Sequence, residues 1–208
     1  KSEKSKSFKY SFKGYAQLIF TLLDQLKIDR VVVVGHSMGG QIALYMAAIR
    51  PSMIERIVLL SSSGYLKRVK KQFVYMTYAP FASRVLKWWF VNKDYKQALS
   101  RVVHDKELVN EDSVEEYSRA FKDDMFFQSL IRLARHREGD LPGEMLRQIK
   151  HPVLIIWGAE DKIIPPHIGK RLHKDLVNSK LIVLEKTGHL VPEERPVDVV
   201  KEITRFIS

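Results

Sequence analysis

Short β-branched runs alternating with helix-spaced runs predict an α/β fold: a parallel sheet with helices on both faces and an inserted helical cap. Three observations carry this expectation. Apolar runs of strand length occupy 31–34, 54–60, 151–157 and 180–184. Helix-spaced apolar patterns lie between or beside them, at 10–28, 41–50, 167–177 and 196–207, and such alternation implies parallel strands joined by crossovers. Residues 65–150 break the alternation, with helical patterns but no run of sheet type.

In chain order, Tyr15, Leu18, Ile19, Leu22, Leu23, Leu26 and Ile28 recur at helical spacing and predict an amphipathic helix over 10–28. Val31 to Val34 are too few for a globular helix and rich in β-branching, so they predict a strand buried on both faces. Pro51-Ser52 stops the helix that follows, and 54–60 is a second buried strand closed by Ser61-Ser62-Ser63-Gly64. The segment 65–150, broken at Ala79-Pro80, at 92–94 and at 139–143, is predicted to be a cap subdomain inserted into a core made of 1–64 and 151–208. The third strand ends in the polar loop 158–165, the fourth in 186–189, and a helix over 196–207 closes the chain.

Between the valine strand and its helix stands Gly35-His36-Ser37-Met38-Gly39, a G-x-S-x-G nucleophile elbow. Two glycines and a serine fall at this spacing by chance in about 7% of chains of this length, so the strand before and the helix after give the pattern its meaning. The tight turn forces the serine into a strained backbone region and lifts its Oγ above the sheet edge. The helix N-terminus then faces any negative charge that develops there. The flanking glycine positions are expected to tolerate little more than hydrogen.

Ser37, Asp161 and His189 each follow the carboxyl end of a strand, where open sheets of this kind gather their sites. They also occur in the order Ser, Asp, His expected for an elbow on this architecture. A serine hydroxyl is a weak nucleophile that needs a base within reach. His189 would take its proton and return it to the leaving group, while Asp161 would hold the imidazole's tautomer. The Met38 backbone N–H would stabilise the oxyanion, with a second donor from a loop earlier in the chain. Glu160 competes with Asp161, the shorter side chain fitting the loop better. His36 is expected to pack behind the site rather than act as a base. Asp140 and Asp198 are expected to be caps or surface charges, and His104, His136, His151, His167 and His173 show no metal-ligand spacing.

Composition narrows the partners. With 45% hydrophobic residues the chain is globular, and no run of eighteen uncharged apolar residues encodes a spanning helix. There is no cysteine, which excludes disulfides and thiolate sites, and no apolar leader; together these lead to an expected cytoplasmic location. No cofactor or metal is expected. The net charge of +11 favours acidic partners, but no nucleic-acid-binding module is present and no nucleic acid is expected. From Lys67 to Arg101 nine basic residues accompany a single acid, Asp94, among eight aromatics. That segment suits an anionic membrane surface or an amphiphilic substrate; the alternative is a cap whose aromatics line the pocket.

Gly35-His36-Ser37-Met38-Gly39-Gly40, the 157–165 segment Trp-Gly-Ala-Glu-Asp-Lys-Ile-Ile-Pro and the 187–196 segment Thr-Gly-His-Leu-Val-Pro-Glu-Glu-Arg-Pro resemble the α/β-hydrolase superfamily. The likeness covers about 1–64 and 151–208 and points to the capped esterase, lipase and C–C-bond hydrolase branch. It implies a catalytic triad of Ser37, Asp161 and His189, and serine at the elbow disfavours the dehalogenase and epoxide-hydrolase branches. Members of the family carry further strands and a His-Gly oxyanion loop before the elbow, and Lys1-Ser2 resembles the tail of the Gly-x-Gly-x-Ser loop that precedes the helix at 10–28. The expected fold is therefore an N-terminally incomplete version of the family's. The expected function is a serine hydrolase of ester or similar acyl substrates; the alternative is a shortened binding or assembly module with little turnover. An incomplete sheet leaves 31–34 as an apolar edge, so a homodimer or a complementing segment is expected to cover it.

Overall fold

Four parallel strands in the order β1-β2-β3-β4 form the single sheet of the computed structural model, which describes residues 3–208. The Lys1-Ser2 resemblance lies outside the described residues. Helix α1 (Phe12–Gln25) leads into β1 (Val31–His36), α2 (Met38–Ile49) and β2 (Ile54–Leu60). The insertion then holds α3 (Lys71–Met76), α4 (Ala82–Val91), α5 (Tyr95–Val102), α6 (Glu111–Ser118), α7 (Asp124–His136) and α8 (Gly143–Leu146). The sheet resumes with β3 (Val153–Gly158), α9 (Pro166–Asp175), β4 (Ser179–Leu184), α10 (Val191–Glu194) and α11 (Pro196–Ile207).

Strand periodicity sorts the core into two layers. Ile57, Leu59, Val153, Ile155 and Trp157 face α1, α2, α8 and α9, whereas Val58, Leu60, Leu154 and Ile156 face Val191 of α10 and Val199 of α11. Adjacent residues of a strand point to opposite faces, so both faces of β2 and β3 are covered, and 57–60 and 153–157 read as continuously apolar.

Two expectations are corrected here. The strand at 31–34 is not buried on both faces. β1 pairs only with β2 among the described residues; Val31 and Val33 join the first core layer, while Val34 is 50% exposed. The second layer, built on α10 and α11, does not extend over β1. The amphipathic helix turns only part of its predicted set inward: Ile19 and Leu23 pack against the core. Phe12, Ala16 and Phe20 are its buried residues, and Leu18, Leu22 and Leu26 face outward. That helix is apolar on more than one side, so spacing alone does not choose the face that meets α2. Its start is set by Ser11, whose hydroxyl accepts from the Gly14 N–H at 3.0 Å.

Hydrogen bonds join the two ends of the segment between β2 and β3 to each other and to α2. Asp140 N–H donates to the Leu66 carbonyl at 2.8 Å, and Leu66 N–H donates to Asp140 Oδ2 at 3.1 Å. Gln41, fully buried on α2, donates to the Ser63 carbonyl at 2.7 Å and accepts from Leu141 N–H at 3.0 Å. Asp140 is thus no surface charge: burial pushes its carboxyl above the usual carboxylate range against the pull of the Leu66 N–H and Arg137. Asp198, by contrast, is exposed in the first turn of α11.

Candidate active site

The turn between β1 and α2 carries Ser37 at φ 53° and ψ −120°, a left-handed conformation that costs a non-glycine residue on the order of 1–3 kcal/mol. Hydrogen bonds from β2 hold it there: Ser37 N–H donates to the Leu60 carbonyl at 3.0 Å, and Ser63 N–H to the Ser37 carbonyl at 2.9 Å. The glycines around it differ in role. A Cβ on Gly35 would collide with the backbone of Gly39 and Gly40, and one on Gly40 with the Ser62 side chain. A Cβ on Gly39 meets nothing within 4 Å among the described residues, so the crowding expected at both flanking glycines falls on Gly35 and Gly40 instead.

The three sequence-selected side chains lie in one hydrogen-bonded chain. Asp161 Oδ2 is 2.8 Å from His189 Nδ1, and His189 Nε2 is 3.1 Å from Ser37 Oγ. Asp161 is buried, and its other oxygen accepts from the Ile163 and Ile164 N–H groups at 2.9 Å each. A carboxylate only accepts, so Nδ1 carries the imidazole proton and Nε2 turns its lone pair to the Ser37 hydroxyl. This arrangement can move a proton from Oγ to Nε2 without any rearrangement of the ring. Met38 is the first residue of α2, so its N–H has no partner within the helix and is free to meet an oxyanion beside Oγ.

The other candidates take supporting places. Glu160 Oε2 accepts from the Thr187 N–H at 2.8 Å, away from the imidazole. Desolvation pushes its carboxyl up, but the N–H groups of Thr187 and Lys186 and the nearby His104 outweigh it and hold it below its usual range. His104, His167 and His173 are exposed, and His151 Nε2 bonds the Pro51 carbonyl at 2.9 Å. Among the described residues no group of three or more His, Cys, Asp or Glu is placed to hold a metal ion.

His36 does more than pack. Its Nε2 is 2.8 Å from the His189 carbonyl oxygen, so that nitrogen donates, and the two rings lie 4.9 Å apart. Burial holds the His36 imidazole below its ordinary pKa, against the His189 carbonyl hydrogen bond, which raises it. Sequence reasoning missed Glu194 altogether. Its carboxylate accepts from Gly188 N–H at 2.8 Å and from His104 N–H at 2.7 Å, fixing the loop that carries His189. His189 N–H in turn donates to the Val102 carbonyl at 2.8 Å, tying the same loop to the end of α5.

A family model described as alpha/beta hydrolase fold matches residues 1–196. The chain belongs to the α/β-hydrolase fold family. "Uncharacterized hydrolase YugF" of Bacillus subtilis is 45% identical over 207 residues, which is all of this chain and 76% of that protein. The 2-hydroxy-6-oxo-2,4-heptadienoate hydrolase of Pseudomonas putida is 25% identical over 206 residues, 96% of this chain and 71% of that one. Among solved structures, a meta-cleavage product hydrolase from Pseudomonas fluorescens superposes with a TM-score of 0.79 at 20% identity, covering 99% of this α/β hydrolase and 74% of that chain. No helix among the described residues is long and apolar enough to cross a membrane.

Proposed function

We propose that this α/β hydrolase is a serine hydrolase of ester or similar acyl substrates, working through Ser37, His189 and Asp161 and a covalent acyl-enzyme. The observation that carries the reading is the continuous hydrogen-bonded chain from Asp161 Oδ2 through the imidazole to Ser37 Oγ. Ser37 Oγ attacks the acyl carbon as His189 Nε2 takes its proton, and the imidazolium is stabilised by Asp161. The Met38 N–H donates to the oxyanion at the positive end of α2. His189 passes the proton to the leaving alcohol, then deprotonates a water that frees the acid and restores Ser37. The helical insertion over 65–150 serves as a cap that shapes the acyl pocket; in support, Val102 at the end of α5 bonds His189 directly.

A second reading, a hydrolase-like binding module with little turnover, draws on β1, which pairs on one side only among the described residues. A fluorophosphonate probe separates the two. The hydrolase reading expects stoichiometric labelling of Ser37 that disappears in Ser37→Ala and His189→Ala; folded protein that stays unlabelled supports the binding module.

A further inference from the structure

The residues from α3 to α5 combine unspent charge with aromatic surface. Of the eight aromatics between Lys67 and Arg101, Phe90 and Tyr95 turn inward onto Phe121, the latter pair stacked at 5.2 Å. The other six, Phe73, Tyr75, Tyr78, Phe81, Trp88 and Trp89, are exposed, Trp88 by 70%. This decides against a pocket lining as the main use of these rings. Helix α4 shows the reason in its spacing: Leu86 and Phe90 are partly buried, whereas Phe81, Val85 and Trp88 follow at i, i+4 and i+7 on the outward side. An isolated surface aromatic is ordinary, but six on one short stretch exceed what a lone globular surface usually exposes.

The charge is similarly unpartnered. Among the described residues only Lys87 of the nine basic side chains is ion-paired, to Asp124. Lys93 Nζ lies 3.3 Å above the Trp89 ring and the Arg84 guanidinium 5.1 Å from the Phe81 ring, so cations stand directly beside the exposed aromatics. Tryptophan and tyrosine with flanking lysine and arginine suit the boundary between lipid headgroups and acyl chains, the rings entering the apolar layer and the cations meeting phosphates. The single acid of the stretch, Asp94, is engaged as the N-cap of α5 through the Gln97 N–H.

We propose that the outward face of α3 and α4 docks on an anionic phospholipid surface. Charge complementarity selects this occupant over a neutral bilayer. The outward rim of α1 and β1 is also apolar, but its residues are aliphatic, Leu18, Leu22, Leu26 and Val34, and it lacks the aromatic and basic pairing. Docking through α4 would sit one short link from α5, whose last residue bonds His189. The proposal does not depend on turnover.

Sedimentation of the protein with vesicles of equimolar phosphatidylglycerol and phosphatidylcholine, or of phosphatidylcholine alone, tests it. Binding to the anionic vesicles is expected, with quenching by brominated acyl chains; Trp157 is fully buried, so the quenching reads Trp88 and Trp89. Lys70→Glu/Lys71→Glu should weaken binding about 25-fold, at about fivefold for each basic residue near the surface. These substitutions sit at the N-cap and first residue of α3, where acid favours the helix. Trp88→Ser, at an exposed position, should weaken it about tenfold or more. The control Lys170→Glu/Lys201→Glu lowers the net charge equally on exposed positions of α9 and α11 and should bind like the parent. The proposal is overturned by absent binding to anionic vesicles at low salt, by equal binding to neutral ones, or by equal losses in patch and control variants. It is also overturned by a Trp88-dependent dimer that binds no vesicles.

Discussion

Replacing Asp161 by asparagine tests the protonic logic of the site with hardly any change of shape. In the parent, one carboxylate oxygen faces His189 Nδ1 at 2.8 Å and the other accepts from two backbone N–H groups at 2.9 Å. An asparagine that keeps its carbonyl on Ile163 and Ile164 presents its NH₂ to Nδ1. That nitrogen must then accept, so the proton moves to Nε2 and points at Ser37, and the base is lost. Flipping the amide would restore the parent tautomer but break both backbone bonds, at about 0.5–1.5 kcal/mol each, or ~1–3 kcal/mol together. The inactive tautomer therefore dominates by roughly one to two orders of magnitude, and the imidazolium also loses its counter-charge. The combined loss in kcat is expected to be about 10⁴-fold, with KM for a p-nitrophenyl ester and the melting temperature little changed. A folded Asp161→Asn protein within tenfold of the parent kcat would refute this reasoning.

Three further outcomes are expected. Gly39→Ala should stabilise the fold by about 0.5–1 kcal/mol, as alanine does over glycine in a helix, because its Cβ meets open space. Gly35→Ala and Gly40→Ala should destabilise by about 3 kcal/mol or more through overpacking; urea melts in which all three behave alike contradict the assignment. Burial, the dominant influence on His36, lowers its pKa from 6.5, so the unfolded chain takes up that proton first as pH falls. Its contribution to unfolding free energy is flat above pH 6.5 and declines below it; His36→Gln should reduce the slope below pH 6.5, and an unaltered slope there removes the argument. Among the described residues β1 pairs on one side only, and with the outward leucines of α1 this edge should drive two-fold self-association or capture of a complementing segment; light scattering of the 208-residue chain that finds a stable, non-aggregating monomer at micromolar concentration contradicts this.

The sheet was legible because β2 and β3 are covered on both faces, which writes continuous apolar runs into 57–60 and 153–157. The closing helix was legible through its period, and the elbow through its glycines. Faces were harder. α1 carries apolar residues around most of its circumference, and only contact with α2 selects Phe12, Ala16 and Phe20. β1 has the composition of a central strand but an edge position among the described residues, an expectation that came from the family resemblance and not from its own apolar pattern. At the site, residue type and position after a strand sufficed to select Ser37, Asp161 and His189. His36, Glu194 and Asp140 act through main-chain partners distant in sequence, such as the 153-residue separation between His36 and His189, and periodicity carries no signal for such pairs. Glu194 was in plain view two residues before Pro196, yet its role depends on where the Gly188 N–H points.

The central claim, a covalent acyl-enzyme on Ser37, is tested most directly by rapid mixing with a p-nitrophenyl ester followed by acid quenching and intact-mass measurement. Acylation of Ser37 should give a burst of about one p-nitrophenolate per chain and a mass increase of one acyl group, located on the Ser37 peptide and absent from Ser37→Ala. Steady release of p-nitrophenolate with no burst and no acylated Ser37 peptide, at any ester chain length, would contradict it.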